Sequence, residues 1–117
     1  MRKVLKYLIV VVGPTAIGKT AFAIRLAQHF NTEVLSADSR QFYREMRIGT
    51  AFPEPEELEA AKHHFVGNLS IGDTYNVARY EEESLALLEK LFAKQDVVIL
   101  SGGSGLYIDA VCKGIDD

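Results

Sequence analysis

The chain has 117 residues, 48% of them apolar and 25% charged, and its formal net charge is −3. These values predict one globular domain around one hydrophobic core. They exclude a general electrostatic attraction to nucleic acid or membranes, so any such contact has to come from a local patch. The single cysteine, Cys112, cannot form an internal disulfide, which fits a reducing compartment.

The first predicted element is a buried β-strand over residues 4–12, apolar on both faces. A basic segment precedes this apolar run, as in a signal peptide. However, Lys6 and Tyr7 interrupt the run, and no small-residue cleavage site follows it. It is also far shorter than the ~20 apolar residues that cross a bilayer. The sequence therefore predicts a cytoplasmic protein without membrane contact.

Along the rest of the chain, apolar residues alternate between helical and strand spacing. In chain order the patterns first predict a helix at 19–30 with Ala23, Leu26, Ala27 and Phe30 on its apolar face, a strand at 33–37 and a mostly irregular segment at 38–53. An acidic helix at 55–61, a short strand at 63–66 and a turn-rich link at 67–75 follow. The last predicted elements are a helix at 77–93 capped by Asn76, a strand at 96–101 and a helix at about 104–113. Strands separated by helices predict an α/β fold, a parallel sheet with helices on both faces. Ligands of such sheets bind at the carboxyl ends of the strands, where segments 13–20, 38–41 and 102–105 leave the sheet.

The first of these segments has the spacing G-x-x-x-x-G-K-[ST] of a phosphate-binding P-loop, between a predicted strand and a predicted helix. Gly13 and Gly18 let main-chain N–H groups point at an anion, and the helix adds its N-terminal partial positive charge. The Lys19 ammonium can follow phosphate oxygens, and the Thr20 hydroxyl can ligate Mg²⁺. A P-loop NTPase-like sheet is therefore predicted, although the pattern does not indicate which phosphate compound binds. The predicted binding residues are Gly13, Pro14, Thr15, Ala16, Ile17, Gly18, Lys19 and Thr20.

The second segment begins with Asp38, at the end of a predicted strand and on the same edge as the P-loop. An acid beside phosphate and Mg²⁺ can hold the metal through water or accept a proton from a nucleophile. Aspartate also commonly caps a turn or a short helix. Ser39 and Gln41 are neutral hydrogen-bonding groups suited to a base or a hydroxyl group. Three nearby arginines can contact a phosphate backbone or pair with acids at the surface, namely Arg40, Arg44 and Arg47.

The third segment, Gly102-Gly103-Ser104-Gly105, follows the last predicted strand. Its glycines indicate close approach of the backbone to a ligand or a neighbouring loop, although such turns also use glycine for packing alone. Ser104 can present a hydroxyl there. His63 and His64 are adjacent and would face opposite sides of a strand, which argues against a two-histidine metal site. No acid ends the strand at 96–101, as one usually does in P-loop enzymes that hydrolyse ATP.

Taken in order, these segments resemble the tRNA dimethylallyltransferase family. The P-loop is common to many enzymes, but the other segments, in this order, are far more specific. The resemblance extends over nearly the whole chain and rests on the P-loop, Ser36-Ala37-Asp38-Ser39-Arg40-Gln41-Phe42-Tyr43, Ile48-Gly49-Thr50-Ala51 with Pro53, His63-His64, and Gly102-Gly103-Ser104-Gly105-Leu106-Tyr107.

The resemblance implies transfer of a dimethylallyl group from dimethylallyl diphosphate to N6 of the adenosine 3′ of the anticodon in tRNA. It implies that the P-loop holds the diphosphate, that Mg²⁺ is the cofactor and binds at Thr20, and that Asp38 accepts the proton of the attacking amine. Asp38 and Ser104 are the expected catalytic residues, and a monomer is expected. The residues expected to contact the tRNA anticodon stem-loop are Asp38, Ser39, Arg40, Gln41 and Ser104.

The chain departs from the family in two respects. The family usually has threonine where this chain has Ser104, which keeps the hydroxyl and loses a methyl group. Family members are also much longer, with a helical insertion that grips the anticodon stem-loop and later basic residues at the active site. Residues 1–117 are therefore expected to be an N-terminal P-loop core that binds diphosphate without modifying tRNA on its own.

Three other functions fit the P-loop. They are an adenylate isopentenyltransferase acting on free AMP, a small nucleotide or metabolite kinase using ATP, and a phosphate-binding module without turnover. If the chain is part of a kinase, it should bind ATP more tightly than dimethylallyl diphosphate, both measured with Mg²⁺.

Overall fold

A computed structural model describes residues 6–12, 19–43, 53–70, 72, 75–102 and 105–116, without the side chains of Ser39, Arg40 and Asp116. Every helix and strand that the sequence predicts is present in these residues, with some ends shifted. In chain order the elements are β1 (Tyr7–Val12), α1 (Lys19–Phe30), β2 (Val34–Ser36), α2 (Ser39–Phe42), α3 (Pro55–Ala60), β3 (His63–His64), α4 (Val77–Lys94), β4 (Val97–Gly102) and α5 (Gly105–Asp116).

The strands of the described chain form one parallel sheet in the order β1-β4-β2-β3. β4 lies between β1 and β2, and its last residues are in register with the last residues of both neighbours. Val12 pairs with Gly102, and Ser36 pairs with Ser101. The predicted α/β fold with a parallel sheet is therefore confirmed. The register brings the carboxyl ends of β1, β4 and β2 to one edge.

The prediction that residues 4–12 are buried on both faces is wrong for the two ends of β1. Val11 is buried, but Tyr7 and Val12 are 54% and 62% exposed. Within the described residues β1 is an outer strand of the sheet and pairs with β4 only. Its ends therefore lack the cover on both sides that a central parallel strand receives.

Two hydrophobic clusters lie on opposite faces of the sheet, because successive strand residues point to opposite sides. Val34 and Ile99 belong to the cluster with α1, whereas Leu35 and Leu100 belong to the cluster with α4 and α5. Helices thus cover both faces, as predicted. The first cluster comprises Val11, Ala23, Ile24, Ala27, Val34, Ala61 and Ile99. The second comprises Leu35, Ala37, Phe42, Tyr80, Leu88, Leu91, Val98, Leu100, Ile108 and Val111.

Helix α1 spans the predicted residues, but its buried stripe differs from the predicted face. Ala23, Ile24 and Ala27 are buried, whereas Leu26 is half-buried and Phe30 is 41% exposed. Phe30 is the last residue of α1, and its ring packs edge-on against the neighbouring ring of His29, with the ring centres 4.8 Å apart. The contact face of α1 is therefore built from small residues around Ile24.

Two segments differ from the predicted pattern. The sequence predicts an irregular segment at 38–53, but Ser39–Phe42 form the single helical turn α2. The main-chain N–H of Gln41 closes this turn on the oxygen of Asp38 at 2.9 Å. β3 is shorter than the predicted strand at 63–66, because Phe65 and Gly67 both have a φ of 65° and leave the extended conformation.

The residues at the beginnings of α3 and α4 are typical of helix N-termini. The side chain of Asn76 accepts a hydrogen bond of 3.0 Å from the main-chain N–H of Arg79, which confirms the predicted N-cap of α4. α3 begins with Pro55 and with a capping box between Glu54 and Glu57. In the parts of the chain that the structure describes, no helix is both long and apolar enough to span a membrane.

Candidate functional site

Among the described residues, four polar residues that sequence analysis selected lie in segments that follow strands at the carboxyl edge of the sheet, namely Lys19, Thr20, Asp38 and Gln41. Lys19 and Thr20 form the start of α1, which follows β1, while Asp38 is the second residue after the end of β2. Lys19 and Asp38 are both buried, with 8% and 3% of their surface exposed. Lysine and aspartate are rarely buried, because removing a charged group from water costs free energy. Their burial at this edge of the sheet is therefore typical of a binding or catalytic site.

A small pocket opens at this edge and joins the two segments. The hydroxyl-bearing residues Thr20, Ser36 and Ser101 lie around it, together with the carboxamide of Gln41 and the ring of His63. Its lining among the described residues is Thr20, Ala23, Val34, Ser36, Gln41, Pro53, His63 and Ser101. Residues of α1 and α2 therefore line the same pocket, which offers neutral hydrogen-bonding groups next to an apolar wall.

Main-chain hydrogen bonds hold Asp38 in place. The N–H of the preceding residue, Ala37, donates to the oxygen of Ser101 at 2.8 Å. The N–H of Asp38 donates to the hydroxyl of Ser36 at 3.3 Å, and the oxygen of Asp38 accepts from Gln41 at 2.9 Å. Asp38 immediately precedes α2, so its position also agrees with the alternative that it begins a short helix. The main chain around the expected base is thus fixed by both neighbouring strands and by α2.

Ser36 is a site residue that sequence analysis did not select. It ends β2, only 2% of its surface is exposed, and its hydroxyl donates to Oε1 of Gln41 at 2.8 Å. The main-chain oxygen of Ser36 accepts a hydrogen bond of 2.9 Å from the phenol of Tyr80. The sequence does carry a signal for it, because a serine at the end of a buried strand has to find hydrogen-bonding partners.

His63 and His64 have different surroundings, as their adjacency predicts. Nδ1 of His63 lies 2.9 Å from the oxygen of Ala61 and donates to it, which leaves the lone pair of the neutral ring on Nε2. Burial lowers the pKa of His63, although the hydrogen bond to Ala61 and the charge of Glu57 oppose this effect. His64 instead contacts Glu33, with 2.5 Å between Nε2 and Oε1. Among the described residues, no group of three or more His, Cys, Asp or Glu side chains is arranged to hold a metal ion.

Gly102 shows why glycine ends β4. A Cβ atom there would lie 2.9 Å from Cβ of Ala37 and 3.0 Å from its main-chain carbon and oxygen. Such distances are too short for carbon atoms in contact, so β2 and β4 approach closely just before Asp38. The predicted close approach of backbone to a neighbouring segment is confirmed at this glycine.

Several predicted site residues lie outside the described part of the chain and stay predictions. They are Gly13, Pro14, Thr15, Ala16, Ile17, Gly18, Arg44, Arg47, residues 48–51 and Ser104, together with the side chains of Ser39 and Arg40. The Mg²⁺ cofactor, the monomeric state and the cytoplasmic location also stay predictions. Cys112 is half-buried and packs against the cluster that contains α4 and α5.

The fold and the site together define an α/β protein of the P-loop NTPase-like class, with a polar pocket at the carboxyl edge of its parallel sheet. The model of the family described as IPP transferase matches residues 41–117, and the chain belongs to that family. This agrees with the family resemblance seen in the motifs.

Known proteins of similar sequence and structure carry related names. A tRNA dimethylallyltransferase of Flavobacterium johnsoniae is 62% identical over 113 residues, and tRNA dimethylallyltransferase 1 of Bacteroides fragilis is 53% identical over 112 residues. These matches cover 97% and 96% of this chain but only 37% of each relative, so the chain spans just over a third of their length.

Among solved structures, the full-length tRNA isopentenylpyrophosphate transferase of Bacillus halodurans is 38% identical, with a TM-score of 0.83. The match covers 91% of this chain and 35% of that one. A tRNA isopentenylpyrophosphate transferase of Staphylococcus epidermidis is 37% identical, again with a TM-score of 0.83, and covers 91% and 34% of the two chains.

Proposed function

We propose that this chain is the part of a tRNA dimethylallyltransferase that binds dimethylallyl diphosphate and the target adenosine. The observation that carries the proposal is that Lys19, Asp38 and Gln41 are all buried and that each lies in a segment that follows a strand of the parallel sheet at its carboxyl end. The names of the relatives support the same activity. Because this chain matches little more than a third of those relatives, turnover is proposed for the whole protein that carries it.

In the proposed reaction, the N6 amine of adenosine attacks the allylic carbon of dimethylallyl diphosphate. The bond between that carbon and the diphosphate oxygen breaks, and diphosphate leaves with the electron pair. The Lys19 ammonium stabilises the negative charge that develops on the leaving group. The carboxylate of Asp38 accepts the proton that the amine loses, which is a role for a fixed and buried base.

Thr20 fits the expected Mg²⁺ ion in its donor chemistry. Mg²⁺ prefers oxygen ligands and is commonly held by one or two protein groups together with substrate phosphates. Thr20 lies in the first turn of α1, is half-buried, and lines the pocket. When bound, the ion supplies further positive charge against the diphosphate.

Ligand binding by this chain tests the first half of the proposal. Calorimetric titration in Mg²⁺ buffer should show tighter binding of dimethylallyl diphosphate than of ATP. Lys19→Ala should weaken diphosphate binding by at least about tenfold, because a charge-assisted hydrogen bond is lost. Lys90→Ala, at an exposed lysine of α4, is the matched control and should bind normally. Tighter binding of ATP would contradict the proposal and support a kinase.

Prenyl transfer tests the second half. The assay uses a chimaera in which this chain replaces the matching segment of the Flavobacterium johnsoniae protein, with an anticodon stem-loop RNA as the acceptor. Asp38→Asn should slow transfer by about 10²–10⁴-fold, the usual contribution of a general base, with little change in diphosphate binding. Asp96→Asn, at an exposed aspartate paired with Lys6, is the control. Equal losses of transfer and diphosphate binding in Asp38→Asn would contradict the assigned role.

A further inference from the structure

Ser36 lies between the two residues that the proposed function places at the target base. Its hydroxyl contacts both of them, since it accepts from the Asp38 N–H at 3.3 Å and donates to Gln41 Oε1 at 2.8 Å. Both partners are almost fully buried, and so is Ser36 itself. In this environment each hydrogen bond is worth more than at the surface, because water does not compete for the groups.

The two hydrogen bonds determine the direction of the hydroxyl proton. The Asp38 N–H can only donate, so it occupies a lone pair of Ser36 Oγ. The single proton of Ser36 is then directed to Gln41, which can accept it only through Oε1. The oxygen end of the Gln41 carboxamide therefore faces Ser36, and the two N–H donors of its nitrogen are directed away from Ser36.

This contact adds a side-chain hydrogen bond to the two that hold the main chain of Gln41. Its main chain is already held on both sides, since its N–H donates to Asp38 at 2.9 Å and its oxygen accepts from Gly67 at 2.8 Å. A carboxamide can nevertheless turn over, exchanging its oxygen and nitrogen at little steric cost. The hydroxyl of Ser36 favours the orientation with the oxygen end towards it, because the opposite orientation would make the hydroxyl an acceptor and remove Oε1 as the partner of its own proton.

We propose that Ser36 is a positioning residue, which sets the orientation of the Gln41 carboxamide and through it the recognition of the target base. The inference rests on the proposed function and adds a residue to its base-recognition site. A glutamine in this fixed orientation presents N–H donors to an acceptor atom of the base, such as a ring nitrogen of adenine. Ser36 touches no substrate in this scheme and acts through Gln41.

Steady-state kinetics of the chimaera described above tests this role. Ser36→Ala should raise KM for the stem-loop RNA by roughly five- to tenfold, as expected for one hydrogen bond. KM for dimethylallyl diphosphate and its binding should stay within about twofold, because Lys19 and Thr20 are untouched. Ser84→Ala removes the hydroxyl of another fully buried serine, which donates within α4 to Glu81, and should change neither constant.

A double-mutant cycle separates positioning from a general structural effect. If Ser36 acts through Gln41, then Ser36→Ala should cause no further rise in the RNA KM once Gln41→Ala is present. Ser36→Thr keeps the hydroxyl in a strand, where threonine is favoured, and should stay within about threefold of the parent. If Ser36→Ala does not fold, Ser36→Cys replaces it in both measurements, since it keeps the size of the side chain but is a much weaker hydrogen-bond donor, and it should also raise KM for the RNA.

Three outcomes would overturn the assignment of Ser36 while the proposed function stands. They are an equal rise of both KM values in Ser36→Ala, additive effects of Ser36→Ala and Gln41→Ala, and a loss in Ser36→Thr as large as that in Ser36→Ala. A parent chimaera that neither binds dimethylallyl diphosphate nor transfers the prenyl group would overturn the proposed function, and this inference with it.

Discussion

The phenol of Tyr80, in α4, donates a hydrogen bond of 2.9 Å to the main-chain oxygen of Ser36, 44 residues earlier in the chain. This bond attaches the longest described helix to the last residue of β2, just before Asp38. Burial raises the pKa of Tyr80, so the phenol stays a proton donor throughout the neutral range. Its ring also stacks on that of Phe42, at the end of α2, with the ring centres 5.2 Å apart.

Tyr80→Phe should lower the free energy of unfolding by about 1–2 kcal/mol, because it leaves the buried oxygen of Ser36 without this donor. The ring packing is kept, so the variant isolates the hydrogen bond. Urea denaturation of this chain measures the effect. Tyr75→Phe is the matched control, since the phenol of Tyr75 donates to Glu83 at a more exposed position, and it should cost clearly less. Equal losses of unfolding free energy in the two variants would show that the hydrogen bond to Ser36 stabilises the chain no more than the exposed bond of Tyr75 does.

Gly102→Ala should destabilise the chain by about 1–3 kcal/mol, the usual cost of overpacking a close contact. The added methyl group would meet Ala37 at 2.9–3.0 Å and would have to push β2 away from β4. Because Ala37 precedes Asp38, weaker prenyl transfer in the chimaera should accompany the loss of stability. Gly72→Ala is the control, since a Cβ atom there meets nothing within 4 Å. A stable and fully active Gly102→Ala variant would contradict the close approach.

His63 should make folding sensitive to acid. Burial lowers its pKa below the ordinary value of 6.5, so the unfolded chain takes up this proton at a higher pH than the folded chain. The stabilisation is complete above the unfolded pKa and is lost as the pH falls through the folded pKa. His63→Gln should therefore flatten the acid side of the stability profile, measured by urea denaturation from about pH 7 to about pH 5.

The control for this pH dependence is His29→Gln, because His29 is exposed at the end of α1. It should leave the acid-side loss of stability unchanged. The explanation would be wrong if both substitutions altered the profile to the same extent, or if stability rose as the pH fell.

Thr20→Val tests the expected Mg²⁺ ligand. It keeps the shape of the side chain and removes the hydroxyl, so the Mg²⁺ concentration needed for half-maximal diphosphate binding should rise by about tenfold or more. Thr20→Ser keeps the hydroxyl and should behave like the parent. Titration of Mg²⁺ at a fixed concentration of dimethylallyl diphosphate measures both. An unchanged Mg²⁺ requirement in Thr20→Val would remove Thr20 from the proposed metal site.

Local signals predicted the elements of this fold well. The spacing of apolar residues predicted the bounds of α1, and the residue type of Asn76 predicted the N-cap of α4, because helix periodicity and capping depend on residues within one or two turns. Periodicity did not predict the short helix α2, since one turn is too short for a period to show, and only the capping tendency of Asp38 indicated it. The exposure of Phe30 was also missed, because a helical pattern does not tell where a neighbouring layer ends.

By itself, the sequence determined the order of strands and helices, the parallel α/β class and the segments that leave the strands at one edge. Each of these depends on residues close together in the chain. Only the tertiary structure decided that β4 lies between β1 and β2, that Ser36 meets both Gln41 and Tyr80, and that Gly102 presses against Ala37. Most of these contacts join distant parts of the chain. They form only when the strands have taken their order in the sheet. The packing of helices and strands determines which residues become neighbours, and the spacing of residues along the chain does not.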